Sequence, residues 1–211
     1  MEQILNRTIA ESHDHADERQ ERERDWIAAS RRGDAAAFNH LVLRWESAIY
    51  NLARRMLQDP DEAAEATQEV FLAAFRNIRR FRGGARFSSW LYRIAANHCV
   101  TRLKRRPRGV SVPWDEETGP SGPVGGTTGA LSPETSFLRD EQRRQVARAL
   151  GETDPDQRIV LELKFFQERT FDEIADILAI PASTTKSRFY AGLDTLRRQL
   201  ARITASDRLR R

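Results

Sequence analysis

The chain has 211 residues, 39% of them hydrophobic, and a formal net charge of +4. That length suits one ordinary domain or two small ones. No apolar run approaches the ~18 residues of a membrane span, and a lone cysteine, Cys99, excludes an intramolecular disulfide framework and a cysteine-based zinc site.

The small net charge is a cancellation. Residues 1–25 sum to −4, 26–75 to −2, 76–106 to +10, 107–140 to −3, 141–182 to −3 and 183–211 to +6. Two basic blocks in an otherwise acidic chain point to an anionic partner. The first 25 residues hold eight acidic and four basic side chains and read as a disordered or frayed helical lead-in. They have neither the basic start nor the apolar centre of a secretory signal, so a cytoplasmic protein without membrane insertion is expected.

From Trp26 the pattern is helical. Phe38, Leu41, Val42, Trp45, Ile49, Leu52 and Met56 recur at three- and four-residue steps, with Asp34 as a cap. Asp59-Pro60 breaks that helix. The next carries Ala63, Thr67, Val70, Phe71, Ala74, Phe75 and Ile78 on one face, and Asp61, Glu62 and Glu65 in its first turns. The connector RRFRGGARFSS holds Gly83-Gly84, which lets the backbone approach a partner closely. A third helix, capped at Ser88 or Ser89 or starting one turn earlier, carries Trp90, Leu91, Ile94, Ala95, Cys99 and Leu103 and stops before Pro107.

Residues 107–140 hold six of the eleven glycines and five of the eight prolines, with no helical or strand period. A structureless loop of about 30 residues does not belong inside a compact domain, so 107–136 is read as a linker. Beyond it, one helix carries Phe137, Leu138, Val146, Ala149 and Leu150, and another carries Ile159, Val160, Leu163 and Phe166. A short helix with Ile174, Ala175, Ile177 and Leu178 then breaks at Ile180-Pro181-Ala182. A longer one follows, with Phe189, Leu193, Leu196 and Leu200 on one face. The expected fold is all-α: two small helical domains, 26–106 and 137–205, joined by a flexible linker, with a basic tail over 206–211.

Nothing in the sequence assembles an enzyme, a metal site or a cofactor site. His13 and His15 lie in the lead-in, His40 and His98 are isolated, and there is no HExxH, CxxC or Walker lysine loop. The acids Asp61, Glu62, Glu65 and Glu69 fit an exposed helix N-terminus better than magnesium.

The chemistry lies in the basic blocks. The C-terminal one has the spacing of a helix-turn-helix, whose second helix would aim amides at a phosphate and Lys186, Ser187 and Arg188 at groove edges. The block from Arg76 to Arg106 interleaves Phe81, Phe87, Trp90 and Tyr92 with ten cations and no acid. Backbone neutralisation with aromatic faces suits unpaired bases. The plainer alternatives are a generic basic amphipathic helix for the first block and core packing of Phe87, Trp90 and Ile94 for the second.

Three segments carry a resemblance. DPDEAAEATQEVFLAAF at 59–75, FRGGARFSSWLYRIAANHCVTRLKRR at 81–106 and FDEIADILAIPASTTKSRFYAGLDTLRRQL at 171–200 resemble, in this order, the core-binding, −10-recognising and −35-binding segments of bacterial extracytoplasmic-function sigma factors. The resemblance implies that Asp61, Glu65, Gln68 and Glu69 bind the clamp coiled coil of the largest subunit of bacterial core RNA polymerase, with Phe71 structural. It implies that the loop with Phe81, Arg82, Gly83, Gly84, Arg86 and Phe87 takes a flipped base of the −10 element. Arg93, Asn97, His98 and Arg102 would then meet the −10 duplex edge and backbone. Ser183, Thr184, Lys186, Ser187, Arg188 and Tyr190 would read the −35 element in a domain held at the polymerase flap. The acidic linker would thread the active-site cleft, and an anti-sigma factor would cover the same surfaces. Ala66 stands where the family usually has leucine, and Thr185 where valine is commoner. Two other readings stay open: a polymerase-independent helix-turn-helix regulator, and an adaptor whose basic faces bind acidic proteins.

Overall fold

The computed structural model describes residues 18–84, 86–106, 142 and 145–209; the expected linker, with Phe137 and Leu138, lies outside them. Every regular element among them is helical: α1 (18–31), α2 (Ala35–Leu57), α3 (Pro60–Asn77), a 3₁₀ turn (Ile78–Arg80) and α4 (Phe87–Arg105) form one cluster. The second cluster is α5 (145–151), α6 (Pro155–Phe165), α7 (Phe171–Leu178) and α8 (Ala182–Leu209). The helix-turn-helix is α7–α8.

Helix starts follow the expected chemistry. The Asp34 carboxylate accepts from Ala37 N–H at 3.0 Å, and Asp59 from Glu62 N–H at 2.8 Å with Pro60 in the first turn. α2 ends where Gln58 turns left-handed at φ +63° and its N–H bonds back to Arg54 O. α4 takes the earlier of the two expected starts. It begins at Phe87, Arg86 supplies no side-chain cap, and Ser88 is buried in the first turn instead of capping it.

Of the N-terminal lead-in, expected as disordered or frayed helix, residues 18–25 are helical and belong to α1. Trp26 stacks on His40 at 5.0 Å and Glu23 pairs with Arg44 at 2.6 Å, which ties α1 to α2. The dense charge of 18–25 therefore contributes a specific contact as well as solvation. At the other end, α8 runs into the expected basic tail as far as Leu209.

Within the second cluster, α7 starts with a capping box in which the Thr170 hydroxyl accepts from Glu173 N–H and the Glu173 carboxylate accepts from Thr170 N–H. It stops at Ala179, φ +53°, which begins the turn into α8. Thr185 is fully buried there, and its hydroxyl donates to Pro181 O at 3.3 Å. A branched side chain with a carbonyl to bond thus fills the place where valine is commoner. Ala66 is likewise fully buried, one of three buried alanines with Ala63 and Ala74 that let α3 lie close on its neighbours.

The two clusters pack on each other. α6 is buried through six consecutive residues, Arg158–Leu163, because α8 covers one side and α2 and α4 cover the other. α4 also packs on α7. One hydrophobic core runs through both clusters, from Leu41 and Leu91 to Ile159 and Ile174. Three residues expected inside are pushed out: Phe75 on α3, Val146 on α5 and Phe166 after α6 are all exposed. Periodicity assigned them to apolar stripes wider than the neighbouring helices cover.

Candidate nucleic-acid interface

The loop between the 3₁₀ turn and α4 is built around Gly83, whose φ of +75° is left-handed while nothing crowds its α-carbon. Backbone conformation, not space, requires glycine there. Arg82, Gly83, Gly84 and Arg86 are exposed, whereas Phe81 and Phe87 are buried. Phe81, Phe87 and Trp90 form a three-ring cluster with centroids 5.3 to 5.8 Å apart. The two phenylalanines are therefore floor rather than free stacking faces, and Trp90 is only partly covered.

The loop has a cavity on either side. One, of about 400 Å³, lies among Arg82, Gly84, Ser89, Trp90 and Arg93, with Asp176 from the end of α7 in its wall. The other, of about 680 Å³, lies between the loop, α1 and α2, with Trp45 and Arg44 in its wall. Both hold ring faces beside guanidinium groups, the chemistry that takes an unstacked base.

Along α4, Arg93 and Asn97 are exposed, while His98 and Arg102 are partly covered by α3. Arg102 pairs with Glu65 at 3.0 Å and Glu69 at 3.2 Å, and His98 Nδ1 lies 3.5 Å from Glu69. Arg106 pairs with Glu62. Two acids expected to bind polymerase and two side chains expected to bind DNA thus share one network. The run of ten cations is not wholly uncompensated, as its sequence alone suggests: Arg102 and Arg106 take acids of α3, one helix earlier, and Lys104 takes Asp156 of α6. Asp61 and Gln68 remain exposed on α3, and Leu72, one turn beyond Gln68, is 54% exposed. The i, i+4 step from Gln68 to Leu72 is the signal that sequence reading passed over.

In α8 the expected polarity is present. Ser183, Lys186, Ser187 and Tyr190 are exposed, Thr184 and Arg188 are partly so, and Phe189 is buried between Phe165 and Phe171 at 5.6 and 5.2 Å. Arg188 leans back toward Asp156, 3.7 Å away; Asp156 also receives Lys104 of α4 at 2.7 Å.

Between the clusters lie two buried charged residues that the sequence does not distinguish. Glu162 accepts a bidentate pair from Arg55 at 2.7 to 2.9 Å. Burial pushes its carboxyl above the ordinary carboxylate range, against the pull of Arg55. Arg158 donates to Met56 O at 2.6 Å, and burial lowers its guanidinium to about 10. Cys99 is buried, and its thiol is pushed up to about 12 by desolvation. Among the described residues no three His, Cys, Asp or Glu side chains gather as a metal would need, and no helix is long and apolar enough to cross a membrane.

The chain matches the family model of sigma-70 region 2 over residues 41–109 and that of sigma-70 region 4 over residues 149–198. It is 32% identical over 185 residues to the RNA polymerase sigma-H factor of Pseudomonas aeruginosa, covering 86% of this chain and 95% of that one. It is 32% identical over 184 residues to the ECF RNA polymerase sigma factor SigW of Bacillus subtilis, covering 82% of this chain and 94% of the relative. The solved structure of CnrH in complex with the cytosolic domain of CnrY has a similar fold, with a TM-score of 0.59 and 20% identity over 88% of this chain and 99% of that one. The fold, the two matched regions and these relatives agree: the chain belongs to the extracytoplasmic-function (ECF) group of the sigma-70 family, non-catalytic subunits that bind RNA polymerase and direct it to promoters.

Proposed function

We propose that the chain is a two-point promoter reader. The loop around Gly83 captures a flipped base of the −10 element, and Arg93, Asn97, His98 and Arg102 hold the adjoining strand and duplex edge. The exposed start of α8, with Ser183, Thr184, Lys186, Ser187, Arg188 and Tyr190, reads the −35 element. The outer face of α3, with Asp61, Glu65, Gln68 and Glu69, docks on the polymerase clamp coiled coil, and the second cluster docks on the flap.

The observation that carries this reading is the pairing of two unlike surfaces on one chain. A glycine-turned loop flanked by aromatic and guanidinium groups fits unpaired bases. A helix-turn-helix with its basic end outward fits a duplex groove. Melting is then driven by binding energy. Two weak modules on one tether gain from effective concentration. The bacterial RpoE of Bartonella quintana has been solved with the anti-sigma factor NepR, and CnrH with the cytosolic domain of CnrY. An anti-sigma partner that covers these surfaces follows for this chain by the same logic.

Run-off transcription with purified bacterial core polymerase and a genomic promoter library tests the reading. The chain should produce promoter-specific transcripts that core alone does not. Lys186→Glu or Arg188→Glu should weaken dependence on the −35 element, and substitutions at 82–84 should impair opening while leaving core association intact. Failure of both variant classes in core association alone would overturn the division of labour.

A further inference from the structure

The larger of the two loop cavities has a wall that the matched sigma-70 region 2 does not supply. That match begins at residue 41, whereas Gln20, Glu23, Arg24, Ile27 and Arg31 of α1 form one side of the cavity. The Trp26–His40 stack and the Glu23–Arg44 pair fix α1 in that place. The volume, about 680 Å³, lies in the range of small-molecule sites.

Charge and rings decide what fills it. Arg24, Arg31, Arg44 and Arg86 stand in the wall against one carboxylate, Glu23, which Arg44 already engages at 2.6 Å. Among the described residues no carboxylate pairs with Arg24, Arg31 or Arg86, and all three are exposed. The wall therefore has a surplus of three positive charges, which repel one another until an anion enters. The smaller cavity is different: Arg93 already donates to Ile177 O at 3.0 Å and to Asp176 O, and Asp176 stands in its wall. A bare anion would answer the charge of the larger cavity but not its apolar part, where half-buried Trp45 joins Phe81 and Phe87. Arg44 lies 5.9 Å from the Trp45 ring centroid, so an aromatic base there meets a ring and a guanidinium together.

From this wall we infer that the cavity binds a free purine nucleoside diphosphate, the base against Trp45 and the phosphates among Arg24, Arg31 and Arg86. Two linked phosphates carry about three negative charges at neutral pH, which match the surplus. A nucleotide inside a DNA strand brings only one. A purine offers Trp45 the larger face, and the Gln20 amide can both donate to a base edge and accept from it. Phe81, Gly83 and Gly84 line both cavities, so the ligand sits across one glycine loop from the neighbouring site. Two anions on opposite sides of that loop repel. Bound nucleotide thus opposes capture of the unpaired base, and the coupling is reciprocal. This effect on capture rests on the assignment of the loop to the −10 strand; binding of the nucleotide does not.

Isothermal titration calorimetry of the full chain with ADP, GDP, AMP, GMP and inorganic pyrophosphate tests the site. At least one diphosphate should bind once per chain, about tenfold more tightly than its monophosphate and than pyrophosphate. Arg24→Ala, Arg31→Ala and Trp45→Leu should each weaken it about tenfold with helical circular dichroism unchanged. Arg105→Ala, which removes an exposed cation of α4 outside the cavity, should bind as the wild type does. Pyrophosphate binding as tight as that of the diphosphates, no binding of either diphosphate, or an equal loss in Arg105→Ala overturns the site.

Permanganate reactivity of promoter thymines, with the chain on core polymerase and no other nucleotide present, reads the coupling. The diphosphate that binds should lower the open fraction for the wild type and leave Arg31→Ala unaffected. Equal inhibition of both places the effect on the polymerase and overturns the coupling, as does no inhibition of either. Promoter-specific opening without diphosphate upholds the promoter reading whatever the calorimetry shows. Its absence for every chain sinks that reading, while the calorimetry still decides the site.

Discussion

Arg55 of α2 and Glu162 of α6, 107 residues apart in sequence, form a bidentate ion pair in which the carboxylate is almost wholly shielded from water. Breaking such a pair by removing one partner costs about 3–5 kcal/mol, because the remaining charge stays buried. Here Glu162 has an escape, since separating the clusters returns it to water. Arg55→Ala should therefore lower the thermal midpoint while the helical circular dichroism at 25 °C persists. Arg55→Met with Glu162→Leu, which leaves no buried charge, should recover the midpoint and keep the particle closed. A double variant less stable than the single one would contradict this account.

At Gly192 a side chain would meet α6 directly, since an added Cβ would lie 3.1 Å from Leu161 Cδ1 and 3.3 Å from Gln157 Cβ. Gly192→Ala gains up to about 1 kcal/mol of helix propensity, which offsets the tight contact. Gly192→Val should instead overpack the α6–α8 seam and lose roughly 1–3 kcal/mol. Urea denaturation of the three chains measures both.

The capping box of α7 gives a pH signature. The Thr170 backbone N–H, assisted by its hydroxyl and by Arg169, holds the Glu173 carboxyl below the ordinary carboxylate range. A depressed carboxyl stabilises the fold above its unfolded pKa and loses that contribution as pH falls through the folded one. Thr170→Ala should cost about 1 kcal/mol near neutrality, and the backbone donor should preserve part of the acid dependence. Glu173→Gln should flatten that dependence further. Thermal melts between pH 7 and 3 separate the two.

Cys99 gives the opposite sign. Its thiol is pushed up to about 12 by burial, so the folded chain keeps a proton that the unfolded chain releases near 9. Stability is unaffected by this group below about pH 9 and falls from there toward 12. Iodoacetamide at pH 8 should label Cys99 at the rate of global opening, and urea should bring it to the rate of a free thiol. Fast labelling of the folded chain would show that α4 is not covered as described.

What was legible in the sequence was local. Asp34 announces a helix start because a cap bonds within three residues of itself, and Asp59-Pro60 announces the break between α2 and α3. The break before Pro181 and the inward Phe189 follow from spacing in the same way. What was illegible depends on partners far along the chain. Glu162 reads as an ordinary surface acid in a helix until Arg55 is brought to it. Phe166 reads as core, yet it lies exposed beneath the Arg55 guanidinium at 4.4 Å from its ring. The acids that pair with the basic block are hidden from a segment-by-segment count because they belong to α3 and α6. Placement of the cations on helix faces was legible; their occupancy by Asp156 and the end of α7 was not.

The coverage of Cys99 has a practical consequence. A lone thiol sealed in the core leaves the exterior without a competing reactive sulfur, so dyes or spin labels attached at introduced surface cysteines would report on those sites alone, with the native residue kept. A pair placed at exposed Leu43 and Tyr190 would turn the chain into its own distance gauge, read molecule by molecule as polymerase is added.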